Sequence, residues 1–178
     1  MHIRAVIAAA GLALAMQGAE RATAQIDFGA MPVGCSWTTQ YSDGQTTTET
    51  YIGRKGGKHR TEVTNGQGLI RATTYDAKGR MVRKDWSDGN WETFSPYSCF
   101  SEEGSCMYRY RNSSGADQKI ESSTRASGKG FTVQAGPLDE ARYPDEYFEV
   151  GTLGLTTRNK SETYSARLIE LKNCTTGS

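Results

Sequence analysis

The sequence predicts an all-β fold: a large curved antiparallel meander, closed as a barrel or open as a half-barrel, and stapled by disulfides. Three observations carry the prediction. Short runs rich in threonine, β-branched and aromatic residues are separated by turn signals every 8 to 12 residues or so. No long stretch keeps the apolar period of a helix. Four cysteines, Cys35, Cys99, Cys106 and Cys174, follow an export-type leader, a setting in which an even number implies disulfides.

The leader comes first in the chain. Arg4 precedes an apolar run from Ala5 to Met16, and a polar stretch then ends in Ala22-Thr23-Ala24. Residues 1–24 therefore read as a cleaved secretory signal peptide, leaving 25–178 as a single β-rich domain. The run is too short to span a bilayer, and no later segment is apolar enough to enter one. Glu20, Arg21 and Asp27 separate Cys35 from the run, which argues against a lipid anchor on that cysteine. The expected location is periplasmic or extracellular, reached by a bacterial export route.

The strands follow in order. The turns "SDG" at 42–44, "KGG" at 55–57 and "NGQG" at 65–68 bound strands near 35–41, 46–53 and 58–64. "AKG" at 77–79, "SDGN" at 87–90 and "EEG" at 102–104 bound 69–76, 80–86 and 91–95. "SSG" at 113–115 and "SGKG" at 127–130 bound 106–112 and 117–125, and further strands are expected at 131–135, 147–157 and 162–172. The Pro-containing stretch "AGPLDEARYPDEY", 135–147, is the one long connection or short helix.

Two hairpins are specific enough to predict pairing. "YDAKGRM" suits a three-residue loop with Gly79 at a positive φ, setting Tyr75 opposite Met81, Thr74 opposite Val82, Ala72 opposite Lys84 and Ile70 opposite Trp86. "WSDGNW" then sets Trp86 opposite Trp91, Lys84 opposite Thr93 and Asp85 opposite Glu92. One face would carry Ile70, Ala72, Thr74, Val82, Lys84, Trp86, Trp91 and Thr93. The other would carry Arg71, Thr73, Arg83, Asp85 and Glu92, with Tyr75, Met81 and Phe94 toward its far end. Because strands alternate sides and charge belongs in water, the first face is expected to be buried or concave. Trp86, Trp91, Lys84, Ala72 and Thr74 are thus candidate ligand-binding residues: small residues beside two indoles leave room, and a lysine can meet an anionic or polar head.

Cys99 and Cys106 flank a turn and are expected to pair, leaving Cys35 and Cys174 to join the two ends of the mature chain. Chain entropy assigns about 2.5 kcal/mol to the short loop and about 5 kcal/mol to the long one. Such support suits a chain in which only about one residue in seven is Leu, Ile, Val or Phe. Its tyrosines and tryptophans imply a thin, aromatic core. The formal net charge is +1, and losing Arg4, Arg21 and Glu20 with the leader brings it to zero, so nothing favours nucleic acid as a partner.

Catalytic groups are sparse. Without His2, His59 is the one imidazole, and no nucleophile elbow accompanies it. One histidine and four paired cysteines make a poor zinc set. No metal or other cofactor is expected. Asp139, Glu140, Asp145, Glu146 and Glu149 could supply calcium ligands or a carboxylate pair, although Arg142 lies among them. "CMYRYRN" alternates Arg109 and Arg111 with Tyr108 and Tyr110, four further binding candidates suited to oxygen-rich ligands.

"TYDAKGRMVRKDW", 74–86, resembles a single Tyr-Asp repeat of bacterial wrapping-toxin shells at Tyr75, Asp76, Gly79 and Arg80. In outline, a secreted meander with a greasy face is also similar to the half-barrel carriers that move lipoproteins across the periplasm. The expected function is a non-catalytic periplasmic or secreted binding protein for an amphiphile, glycan or protein ligand, without stable membrane insertion. The alternative is a pocketless interaction protein, such as an inhibitor of an exported enzyme or a surface-assembly component. A third reading is a hydrolase or lyase using the acidic segment 139–149.

Overall fold

The computed structural model describes residues 25–99, 103–138 and 140–175. The expected leader 1–24, Asp139 of the acidic segment and residues 100–102 of the stapled hairpin lie outside them. The strands are β1 (Ser36–Tyr41), β2 (Thr46–Lys55), β3 (Lys58–Asn65), β4 (Gly68–Tyr75), β5 (Met81–Trp86) and β6 (Trp91–Ser95). They continue as β7 (Gly104–Asn112), β8 (Asp117–Ser127), β9 (Gly130–Pro137), β10 (Glu146–Val150), β11 (Thr156–Lys160) and β12 (Ser165–Lys172). Each is antiparallel to its neighbours in the chain, and β12 pairs with β1, so the sheet closes into a twelve-strand barrel. Of the two predicted forms, the closed one is observed. Closure pairs the strand edges that an open sheet would leave exposed.

The predicted strand 147–157 is in fact two. Gly151 N–H donates to the Leu155 carbonyl (2.9 Å), and Leu153 and Gly154 both take positive φ (61° and 70°) in the turn between β10 and β11. Apart from its glycines, "GTLGLTT" reads as continuous strand, because a leucine at positive φ has no sequence signature. The stretch after β9 forms an extended connection rather than a helix, with Tyr143 N–H donating to the Ala135 carbonyl (2.7 Å).

In this up-and-down order, the start of β1, the end of β12 and the β2–β3, β4–β5, β6–β7, β8–β9 and β10–β11 connections lie at one end, the base. The other connections form the rim. Two segments close the base. Residues 25–35 cross it, with Asp27 N–H donating to the Leu153 carbonyl (2.9 Å) and Gly34 N–H to the Tyr51 carbonyl (2.8 Å). Phe28 packs there against Tyr51, Tyr75 and His59, at ring-centroid distances of 4.9, 4.9 and 4.7 Å. Gly79 and Gly154 let the segment through, since a Cβ on either would collide with the carbonyl of Ile26 or Gln25. The second closing segment enters after β6. Ser98 N–H donates to the Met81 carbonyl (2.7 Å), Ser98 is buried, and Cys99 packs among Phe94, Tyr108 and Ile120. Cys35–Cys174 fastens the first segment and Cys99–Cys106 the second, the two pairings the sequence suggests.

The expected register of the central hairpins is corrected by one residue. Tyr75 does oppose Met81, but a bulge follows, so Thr74 opposes Arg83, Thr73 opposes Lys84, Ala72 opposes Asp85 and Arg71 opposes Trp86. In the next hairpin Trp86 N–H bonds the Asn90 carbonyl (2.8 Å), Asp85 opposes Trp91 and Lys84 opposes Glu92. A one-residue slip exchanges the faces of a strand. Lys84 and Trp86 therefore share the inner face with Arg71, Thr73, Tyr75, Glu92 and Phe94. Ala72, Thr74 and Trp91 share the outer face with Arg83 and Asp85.

Candidate functional site

A cavity of about 480 Å³ lies inside the barrel. Its floor is formed by Ile26 of the base-crossing segment with Gly79 and Gly154, and its walls reach Tyr41 and Tyr164 near the rim. Trp37 of β1, Met81 of β5, Phe148 of β10, Leu155 and Leu168 of β12 give it apolar walls. Among its charged lining residues, Glu49 of β2, Arg71 of β4 and Lys84 of β5 stand together on one wall, with Glu146, Arg158 and Arg167 across from them.

Each charge has a distinct setting. The Glu49 carboxylate accepts hydrogen bonds from Thr61 (2.5 Å) and from Tyr75 (3.2 Å). Burial, reinforced by the Glu49 charge, holds the Tyr75 hydroxyl well above its ordinary pKa, so it remains a donor. Lys84 Nζ pairs with Glu92 at 3.2 Å and lies 5.5 Å from the Phe94 ring centroid, with 23% of its side chain exposed. Burial lowers its pKa and nearby Arg71 lowers it further, while Glu92 opposes both. Arg71 places its guanidinium carbon 5.5 Å from the Trp86 ring centroid, and its Nε is buried without a hydrogen-bond partner. On the opposite wall Asn159 Nδ2 donates to Tyr164 (3.0 Å), whose hydroxyl donates to Glu146 (3.4 Å). A cavity with greasy walls and a few placed polar groups is the usual chemistry of a small-molecule site, and its volume falls in the usual range.

The predicted candidates divide. Lys84 faces the cavity, and Trp86 lies directly opposite Arg71 at the rim end of β5. Trp91, expected beside Trp86, is on the outer wall with Arg83 5.5 Å from its ring centroid, and Ala72 and Thr74 are outside as well. The two indoles meet only at the rim, where a cleft of about 300 Å³ is lined by Trp86, Trp91, Asp88, Asn90, Asn112 and Ser113. Tyr108 and Tyr110 point inward beside Phe94, at centroid distances of 6.0 and 5.8 Å. Burial pushes the Tyr108 hydroxyl above its ordinary pKa. Arg109 and Arg111 point outward onto Asp117 (2.5 and 3.2 Å). Chiefly through the Arg109 hydrogen bonds, these hold the Asp117 carboxyl below its usual range.

The acidic residues do not gather. Glu149 pairs with Arg158 (3.6 Å), Asp145 with Arg125 (3.9 Å) and Gln134 (3.0 Å), and Glu146 faces Tyr164. Among the described residues no group of three or more His, Cys, Asp or Glu side chains is placed to hold a metal ion. His59 is a core residue, stacked on Phe28 with Nδ1 2.8 Å from the Tyr51 hydroxyl.

Sequence reasoning missed Glu49 and Arg71 as cavity groups. The one-residue register difference puts Arg71 on the charged, solvent-facing side in the pattern, whereas the observed pairing turns it inward. A usable signal for Glu49 lies in "TTTETY", where Glu49 and Tyr51 share a face and Tyr51 is core. Compared with protein-family models, curated proteins and solved structures, the chain matches none.

Proposed function

We propose that this protein is a non-catalytic binding protein, exported to the periplasm or beyond, that holds an amphiphile inside its barrel. The observation that carries this reading is the mixed lining of the interior cavity: apolar walls from Trp37, Phe148 and Leu168 beside the Arg71, Lys84 and Glu49 charges. An amphiphile matches that lining, tail to apolar wall and head to charge. Two disulfides support an oxidising compartment. The outer wall supports a barrel that works in water. Arg60–Glu62, Arg83–Asp85, Arg109–Asp117, Arg142–Glu121 and Arg158–Glu149 ion pairs ring it. A lipid-facing wall is instead an apolar band, in which each midplane lysine or arginine costs about 2–4 kcal/mol.

The test is fluorescence titration with the neutral amphiphilic dye N-phenylnaphthylamine. The dye should bind and brighten, Ala166→Phe should weaken binding by taking up part of the cavity, and Trp91→Ala on the outer wall should leave it unchanged. Full binding by a folded Ala166→Phe variant would overturn interior binding. A second reading, glycan binding, is favoured by the rim cleft alone, where indole faces adjoin the Asp88, Asn90 and Asn112 side chains. It predicts the reverse sensitivity on a glycan array: binding lost in Trp91→Ala and kept in Ala166→Phe.

A further inference from the structure

We infer that the bound amphiphile carries an anionic oxygen head group, a carboxylate in its simplest form, and that Arg71 receives it. The inference rests on the interior-binding reading above. Among the described residues no carboxylate lies within ion-pair distance of Arg71, although it lines the cavity and its Nε is buried without a partner. The neighbouring charges are committed elsewhere. Lys84 is taken by Glu92 (3.2 Å), and the Glu49 carboxylate by the Thr61 and Tyr75 hydroxyls. Leaving a donor of a charged group buried and unpaired is costly, and a ligand oxygen reaching the guanidinium would repay that cost.

The guanidinium fixes the class of that partner. It is a planar fork of N–H donors with no acceptor, always charged, and matched to two oxygens of one carboxylate or phosphate. Trp86 lies beside the guanidinium and helps hold its plane. An alcohol or ester head can accept one of those donors without countering the charge. A cationic head is repelled. From Arg71 the apolar lining of Trp37, Phe148 and Leu168 remains inside the same cavity, so one molecule can place its head on the fork and its tail against that wall.

A matched pair of ligands tests this in the disulfide-bonded protein: dodecanoic acid and dodecanol, each titrated by displacement of bound N-phenylnaphthylamine. The acid should bind roughly 10- to 100-fold more tightly than the alcohol, the range expected for a charged hydrogen bond. Arg71→Met should erase that advantage while leaving dodecanol binding intact, which also shows that the variant folds. Arg71→Lys, which keeps the charge without the fork, should retain part of the advantage. Equal binding of acid and alcohol by the unsubstituted protein would overturn the anion assignment while interior binding stands. So would an acid advantage that survives in both variants. Failure of the dye and both probes to bind would overturn the interior-binding reading, and the Arg71 assignment with it.

Discussion

The base and the middle of this barrel are built from the same twelve strands on opposite principles. At the base, side chains fill the space: Phe28, Met31, Trp37, Tyr51, Tyr75 and Leu155 are buried in one cluster and Phe94, Tyr108, Ile120 and Ala135 in another. Each cluster includes one end of a disulfide. Higher up, the wall is left hollow, and polar atoms such as Arg71 Nε and Asn159 Oδ1 are buried without partners. A barrel of eight strands is just filled by its own side chains, and diameter grows with strand number. Twelve strands therefore leave space unless segments are turned in to fill it. Here the two inserted segments fill the base only. The contrast teaches that stability and binding are weighted toward different levels of one sheet, with Trp37, Tyr75 and Leu155 serving as the top of the packed base and the lower wall of the cavity.

That division implies that the largest loss of stability comes from unfastening the base. Cys35→Ala with Cys174→Ala frees a closed loop with a sequence separation of 139, which chain entropy places at about 5 kcal/mol. Cys99→Ala with Cys106→Ala, at a separation of 7, should cost about half as much. Urea unfolding followed by tryptophan fluorescence measures both. Equal shifts for the two pairs would break the assignment of the longer bridge as the main fastening of the base.

In the hollow level the sign should reverse. Arg71→Met removes a partly buried charge with an unsatisfied Nε and supplies apolar volume in its place. Replacing buried charge by an apolar side chain of similar size is often neutral or stabilising, so the ligand-free protein should gain about 1 kcal/mol. The same urea titration reads this, and the substitution that weakens acid binding would then strengthen the fold. A loss of more than about 1 kcal/mol would instead place Arg71 among the groups that hold the barrel together.

How far the sequence discloses these two levels differs for the same physical reason. Strand positions, turns and cysteine pairing were legible because glycine-centred turns and short Thr-rich runs mark them locally. The faces were not. Alternation identifies an interior when it is apolar, but this interior includes Glu49, Arg71, Lys84 and Glu92 while the outer wall is charged as well. With charge on both faces, nothing in the pattern opposed the wrong register. The bulge beyond Tyr75 shifts pairing by one residue with no glycine or proline within β5 to announce it. The pattern accordingly suggests Trp86 and Trp91 as a facing pair, where Asp85 is in fact the partner of Trp91. The contribution of residues 25–35 was hidden for another reason: "IDFGAMPVGC" has no strand pattern, and its role depends on where β4–β5 and β10–β11 turn.

The smallest effect predicted concerns a histidine inside the packed base. His59 is 7% exposed, stacked on Phe28 and beside Tyr51, and burial lowers its pKa below the ordinary value. The Arg54 charge acts in the same direction, and Asp76 opposes it. The unfolded chain therefore takes up a proton at a higher pH than the folded barrel does. Its contribution to stability is present above about pH 6.5 and is lost as the pH falls toward the folded value. Protonation would also charge a ring that lies flat on the Phe28 face, with Nδ1 2.8 Å from the Tyr51 hydroxyl. Thermal unfolding between about pH 8 and pH 5.5 should show the midpoint falling on acidification, with His59→Gln flattening that slope at some cost in overall stability. An unchanged slope in His59→Gln would place the acid-sensitive group outside the base and dissolve the distinction between a base set by packing and a cavity set by charge.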